Sequence, residues 1–311
     1  MKPFWAALFN KKQLIYILRY GIAFILLAFL IGSIGFNALV NIFITINPIK
    51  VFAVIFFLSI FLFLGILNLW LLLRCIQPIP FYSFLKLYSY SWAFSLITPG
   101  QLGDASLIFF LNKYGLLIRS ASIAYLTDKV ISICMYLFVA WYGSNILIPE
   151  LRNSWSLIFK LSISIGVLFL ILIKLLPETK LTKHIYGRLH GTISELKRLR
   201  TKWYMILINA IITAVKMLVL SICYHMAFLT FGVCADWPEV FIIPIMSTLI
   251  GYIPISIAGL GTVEFTATYL FSLVGVEMSV VLSVYLLLRS LQYIFAIFMS
   301  VCFGGIKAHS R

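Results

Sequence analysis

PGQLGDASLIFFLNKYGLLIRSASIAYLTDK, residues 99–129, and GLGTVEFTATYLFSLVGVEMSVVLSVYLLLR, residues 259–289, decide how this chain is read. Each stretch opens on helix-breaking Pro or Gly inside an otherwise apolar tract. Aligned without a gap, Asp104 falls on Glu264, Gly115 on Gly275, Tyr125 on Tyr285 and Lys129 on Arg289. Acid, glycine, tyrosine and base thus recur at the same offsets, which points to an internal repeat with units near 82–147 and 240–304. The breaks themselves are Pro99, Gly100 and Gly103 in the first tract (82–113), and Pro254, Gly259 and Gly261 in the second (240–274). Each tract is too long for one membrane helix and short for two comfortable spans. A re-entrant hairpin is the economical reading, its irregular turn shielded by protein; two short tilted helices would leave the orientation unchanged.

Outside these tracts the chain is apolar in long runs. Of its 311 residues, 63% are hydrophobic and 11% charged. A soluble domain is nearer to about 45–50% apolar and about 25% charged, so this sequence has too little polar surface to cover a water-soluble fold. Transmembrane β-strands alternate over about ten residues, and the runs here are longer and continuous. Six stretches can each cross the roughly 30 Å hydrocarbon core as a helix: near 15–36, 49–73, 120–147, 156–176, 203–232 and 279–304. The expected fold is an all-α polytopic membrane protein of one domain (1–311), with six full spans, two broken hairpins and an inverted repeat. Three spans separate the hairpins, so one enters from each side, as in many secondary transporters.

The net charge of +15 does not require nucleic acid as a partner. Basic residues cluster in short segments beside apolar runs, which is how topology is written in membrane proteins. The N-terminal lysines, Arg74 with Lys86, Lys113 with Arg119, the tail, and above all the loop 177–202 fall on one side. Both termini are therefore expected in the cytoplasm, with the chain in the cytoplasmic membrane and the 177–202 loop against anionic headgroups. The N-terminal apolar stretch lacks a clear cleavage site and reads as a retained helix. Cys75, Cys134, Cys223, Cys234 and Cys302 show no paired spacing and read as small apolar filler. No metal site, nucleotide-binding loop or cofactor motif is expected.

Ionisable groups within spans are costly and are functional candidates by default. They are Asp104, Asp128, Lys129, Lys216, Glu264 and Arg289. Three acids can offset three bases, either as structural glue or as a site in which the bases engage an anionic headgroup and the acids hold them in place. An Arg suits phosphate because its planar fork donates in pairs. The candidate substrate-binding set is Asp104, Lys129, Lys216, Glu264 and Arg289, with no catalytic residue assigned. Ser106, Ser256 and Thr262 could touch a headgroup, but helix capping is the simpler role.

SLITPGQLGD at 95–104, PISIAGLGTVE at 254–264, VGV at 274–276, the base at 129 and Arg289 together resemble the flippase-like transmembrane region of lysylphosphatidylglycerol synthases. The resemblance covers about residues 10–305 and implies a helical membrane fold with re-entrant elements and a lipid-handling role. Within these 311 residues no segment reads as the family's soluble synthase domain. Standalone relatives are associated with isoprenoid-linked glycolipids and envelope polysaccharide, which implies membrane lipids or such glycolipids as ligands and envelope-synthesis proteins as partners. Two departures stand out. Leu107 and Val263 occupy positions where family members often carry Arg, so either the substrate differs or Lys216 substitutes. The expected function is translocation of an anionic lipid or lipid-linked glycan headgroup. The rivals are an intramembrane enzyme acting on such a headgroup and a structural partner in an envelope-synthesis complex.

Overall fold

A computed structural model describes residues 46–96, 98, 102–175, 201–253 and 255–303 of the chain; for 102 and 165–175 it describes the backbone alone. Described residues form nine α-helices and a single-turn 3-10 helix at Pro149–Leu151. In order, they are α1 (Pro48–Ile76), α2 (Phe81–Ser95), α3 (Leu102–Tyr114), α4 (Ile118–Leu147), α5 (Arg152–Leu175), α6 (Trp203–Thr230), α7 (Trp237–Gly251), α8 (Thr262–Leu273) and α9 (Met278–Cys302). Helices α1, α4, α6 and α9 are long and apolar enough to cross a membrane, at the places the hydrophobic runs predict. The expected span near 15–36, the bulk of the 177–202 loop and the C-terminal tail lie outside the described residues.

The surface of these helices identifies their solvent. Along α6, Trp203, Leu207, Ile211 and Leu218 are exposed at near-helical spacing. The opposite face buries Asn209, Thr213, Met217, Ser221 and Tyr224. A helix with its polar and small residues inside and its large apolar ones outside is inverted relative to a soluble protein. Such a surface is stable in lipid, where apolar contact carries no penalty and helices associate through packing and interhelical hydrogen bonds. Phe52, Phe56 and Phe63 on α1 and Ile294, Ile297, Phe298 and Val301 on α9 repeat the pattern. This is a polytopic, membrane-embedded helical bundle.

Its central pair is α1 against α6, which run antiparallel. Lys50 Nζ at the start of α1 donates to the Leu229 carbonyl at the end of α6 (2.8 Å). At the other end, Lys202 Nζ donates to the Cys75 carbonyl (3.2 Å). Asn47 caps α1 by accepting from the Ile49 N–H (3.0 Å), with Pro48 at the first helical position, where a missing donor costs nothing.

Both broken tracts fold as pairs of short helices, α2–α3 and α7–α8, of 15 and 13 and of 15 and 12 residues. The first pair is antiparallel: Tyr114 Oη at the end of α3 donates to Ser83 Oγ at the start of α2 (2.9 Å). Ser91 Oγ meets Ser106 Oγ across the pair at 3.0 Å. Gly103 permits this closeness, since a Cβ there would lie 2.2 Å from Ser95 Cα. Each pair then leads into a long helix through the same turn. Gly115 and Gly275 adopt φ of 110° and 87°. Leu116 N–H returns to the Leu111 carbonyl and Val276 N–H to the Phe271 carbonyl, both at 3.0 Å. That six-to-one bond with a left-handed glycine is a Schellman ending, which satisfies the last helical carbonyls.

Apolar burial is divided between two clusters. Leu72, Leu73, Phe84, Leu87, Leu107 and Leu111 pack the first hairpin against α1 and α4. A larger set built on Phe228, Ile243, Met246, Phe271 and Val281 packs the second hairpin against α6 and α9. Where the clusters face each other, the irregular turns of the hairpins meet: Ala258 N–H donates to the Thr98 carbonyl (3.2 Å). Tyr293 Oη on α9 also reaches the Leu96 carbonyl (3.4 Å).

Candidate functional site

A cavity of about 230 Å³ opens at the meeting of the hairpins. Its walls include Ser95 and Asp104 from the first hairpin, Ala258 and Glu264 from the second, and Arg289 from α9. A second chamber, about 70 Å³, is lined by Tyr88, Tyr125, Asp128, Lys129, Lys216 and Tyr252, among others. Asp104 and Tyr136 belong to the walls of both. All five residues singled out as substrate-binding therefore line a cleft region of two adjoining chambers, although they come from α3, α4, α6, α8 and α9.

The acids and bases pair within each unit. Lys129 Nζ lies 2.6 Å from Asp104 Oδ2, the side chains being 21% and 30% exposed. Its ammonium also sits 5.5 Å and 5.6 Å from the ring centres of Tyr125 and Tyr252, within cation–π range. In the second unit Arg289 donates from Nε (3.1 Å) and Nη2 (2.9 Å) to Glu264 Oε1. Its Nη1 donates to the Ala258 carbonyl (3.3 Å). Both pairs span 25 residues of sequence.

Glu264 has a further task. Its Oε2 accepts the Gly261 N–H at 2.7 Å, satisfying one of the orphan donors at the start of α8. Gly261 has no side chain, so the reciprocal half of a capping box is missing. Thr262 Oγ1 instead bonds the Gly259 carbonyl (3.0 Å) and lies 2.9 Å from Ser256 Oγ. These hydroxyls and Ser106, which meets Ser91 Oγ, bond a carbonyl or another hydroxyl; among the described residues none of the three accepts a helix-start N–H, so the expected capping role is not the one they take. Gly259 and Gly261, at φ of 73° and 80°, supply the left-handed backbone the turn needs. Ala258, at φ 50°, adopts the same region with a Cβ, a strained position next to the cavity. Pro99, Gly100 and Pro254 lie outside the described residues.

The remaining acid and base do not pair. Asp128 and Lys216 line the same small chamber, yet neither makes an ion pair among the described residues. Asp128 Oδ1 accepts instead from Asn68 Nδ2 on α1 (3.0 Å) and Asn209 Nδ2 on α6 (2.9 Å). Sequence reasoning passes over both asparagines, because it counts charges and asks which could cancel. The signal is present all the same: each is a carboxamide inside an otherwise apolar span.

No group of three His, Cys, Asp or Glu side chains suited to a metal occurs among the described residues. The five cysteines are free thiols. What the cleft offers is a set of paired and unpaired charges and aromatic hydroxyls in a protein-walled space.

Comparison with known proteins agrees with this architecture. The family model described as lysylphosphatidylglycerol synthase TM region matches residues 16–300. No curated protein and no solved structure shows significant similarity to the chain. The match takes in every described helix up to the last turn of α9, both hairpins and all five charged residues of the cleft. The chain belongs to the lysylphosphatidylglycerol synthase transmembrane-region family.

Proposed function

We propose that the chain translocates the anionic headgroup of a lipid or lipid-linked glycan across the cytoplasmic membrane, while the tail stays in the bilayer. Family membership supports a membrane protein that handles lipid headgroups. The observation that supports the finer reading is the shared wall: Asp104 borders both chambers, which brings the Glu264–Arg289 pair of one next to the Lys129 and Lys216 bases of the other. A headgroup phosphate would draw on Arg289, Lys129 and Lys216. Asp104 and Glu264 would hold those bases when the cleft is empty and accept hydrogen bonds from sugar or amine.

The topology that suits this role has six spans, two re-entrant hairpins and both termini in the cytoplasm, with the basic 177–202 loop on anionic headgroups. Helices of 12 to 15 residues reach about 18–23 Å at about 1.5 Å per residue, short of the roughly 30 Å hydrocarbon core. Two units inserted from opposite faces would rock about the point where Thr98 meets Ala258 and expose the cleft alternately. The ligands would be membrane lipids or an isoprenoid-linked glycolipid, with envelope-synthesis proteins as partners in the cell.

Leaflet redistribution in proteoliposomes tests this, with headgroup-labelled anionic lipids, an isoprenyl phosphate and extracted envelope lipids as cargo. Wild-type protein should move at least one of them. Asp104→Asn, Glu264→Gln and Arg289→Gln proteins that remain monodisperse should slow movement about tenfold or more, the scale of one lost charge-assisted contact. If folded wild type moves none of the panel, translocation is wrong and transferase chemistry on a lipid-linked headgroup becomes the reading to pursue.

A further inference from the structure

The separation of Asp128 from Lys216 calls for a physical cause. A carboxylate and an ammonium bordering one 70 Å³ chamber within a membrane would ordinarily close on each other, since an unpaired charge there is costly. Asn68 and Asn209, 1% and 2% exposed, prevent it. Their carboxamides converge on Asp128 Oδ1 from two different helices. Asn68 Nδ2 is also 3.0 Å from Thr213 Oγ1, which fixes its rotamer. Two N–H donors thus stabilise the carboxylate through hydrogen bonds rather than through a counter-charge.

Lys216 is left with capacity. Its Nζ lies 5.8 Å from the Phe61 ring centre, and no carboxylate among the described residues is within ion-pair distance. An ammonium has three donors. Lys129 and Arg289, by contrast, each hold an acid already. Gly65 makes the room: a Cβ there would meet Tyr88 Oη at 3.5 Å and Lys216 Cδ at 3.9 Å, so a larger side chain would grow into the chamber. Lys is suited to phosphate as a compact point charge.

We infer that the small chamber is a phosphate subsite with Lys216 as its charge, and that Asn68 and Asn209 are positioning residues that keep Asp128 from neutralising it. The inference rests on the reading that a headgroup enters this cleft, and adds which chamber takes the phosphate and why that chamber is open.

The test is equilibrium binding to the full chain in neutral detergent micelles, with short-chain phosphatidylglycerol, inorganic phosphate and short-chain diacylglycerol as probes. Phosphatidylglycerol should bind, diacylglycerol should not, and Lys216→Gln should weaken binding. Asn209→Leu, checked for fold by circular dichroism and gel filtration, should weaken it about tenfold, the size of one charge-assisted hydrogen bond. Adding Asp128→Asn to Asn209→Leu should restore the affinity of Asp128→Asn alone, because the competing carboxylate is gone. Asn68→Leu should behave in the same way. The same pattern with inorganic phosphate assigns the chamber to phosphate from either source, and the pattern with lipid alone assigns it to the headgroup. An Asn209→Leu loss that simply adds to the Asp128→Asn effect, or equal binding of diacylglycerol, overturns the subsite. If the pattern holds while wild type moves no lipid in proteoliposomes, the subsite stands and translocation falls. Transport without this coupling leaves translocation standing and removes the subsite.

Discussion

The two acid–base pairs occupy matching places in the two units and differ in what surrounds them. Asp104 and Lys129 meet at 2.6 Å with both side chains a fifth or more exposed. Tyrosine rings flank the ammonium. Glu264 is 1% exposed and fully used: one oxygen takes two guanidinium donors, the other takes the start of α8. Arg289 in turn holds the turn carbonyl of Ala258. The first pair can open when a ligand offers its members other partners. Opening the second would strip a helix start and a strained turn of their hydrogen bonds. The same sequence offset has produced a loosely held pair, a gate in the proposed cycle, and a fully bonded pair that anchors its hairpin.

The largest effect that would break this contrast comes from truncating the two acids. Glu264→Ala leaves Arg289 buried without a carboxylate and should cost about 3–5 kcal/mol, the range for removing one partner of a buried pair. Asp104→Ala leaves Lys129 between the Tyr125 and Tyr252 rings at the edge of a cavity and should cost less, about 1–3 kcal/mol. Thermal unfolding of both proteins in the same detergent reads the difference. Equal losses would mean that the two pairs carry the same structural weight, and the division between gate and anchor would go. A smaller effect sharpens the point. Arg289→Lys keeps the charge but loses the fork, including the bond to Ala258, and should cost about 1–3 kcal/mol. Lys129→Arg keeps the contact with Asp104 available and should shift the melting temperature much less.

Much of this frame was legible in the sequence, for reasons that can be stated residue by residue. Hydrophobic run length placed α1, α4, α6 and α9, because spanning a hydrocarbon layer needs a fixed length of helix. Gly103, Gly259 and Gly261 marked the broken tracts because no other residue fits so close or so left-handed a backbone. The matched offsets of Asp104 with Glu264 and of Lys129 with Arg289 marked the repeat but left the partners open, since pairing here is between helices. What the sequence withheld was contact between units. Nothing local says that Thr98 meets Ala258, or that Asn68 and Asn209 approach Asp128 from helices 60 and 81 residues away. Charge counting left Asp128 among three acids that could offset three bases. Hydrogen bonds from neutral donors won instead, an outcome that depends on which helix faces pack together.

A pair of comparable effects tests whether the turns within and after the hairpins matter as packing or as geometry. Gly103→Ala would drive a Cβ to 2.1 Å from Thr98 Oγ1 and 2.2 Å from Ser95 Cα. Backbone must move, and overpacking of that kind costs about 1–3 kcal/mol. At Gly275 a Cβ would meet nothing within 4 Å, so only the φ of 87° is at stake, worth about 1–2 kcal/mol for a side chain in left-handed backbone. Unfolding temperatures should therefore rank wild type above Gly275→Ala and Gly275→Ala at or above Gly103→Ala. Transport should separate them more than stability does. The Gly103 substitution displaces the turn beside Asp104, which borders both chambers, whereas Gly275 lies at the far end of α8 from Glu264. A Gly275→Ala protein that melts near wild type but no longer moves lipid would shift the hinge of the second unit to the α8–α9 turn, and the anchor would then have to move as one body with its helix.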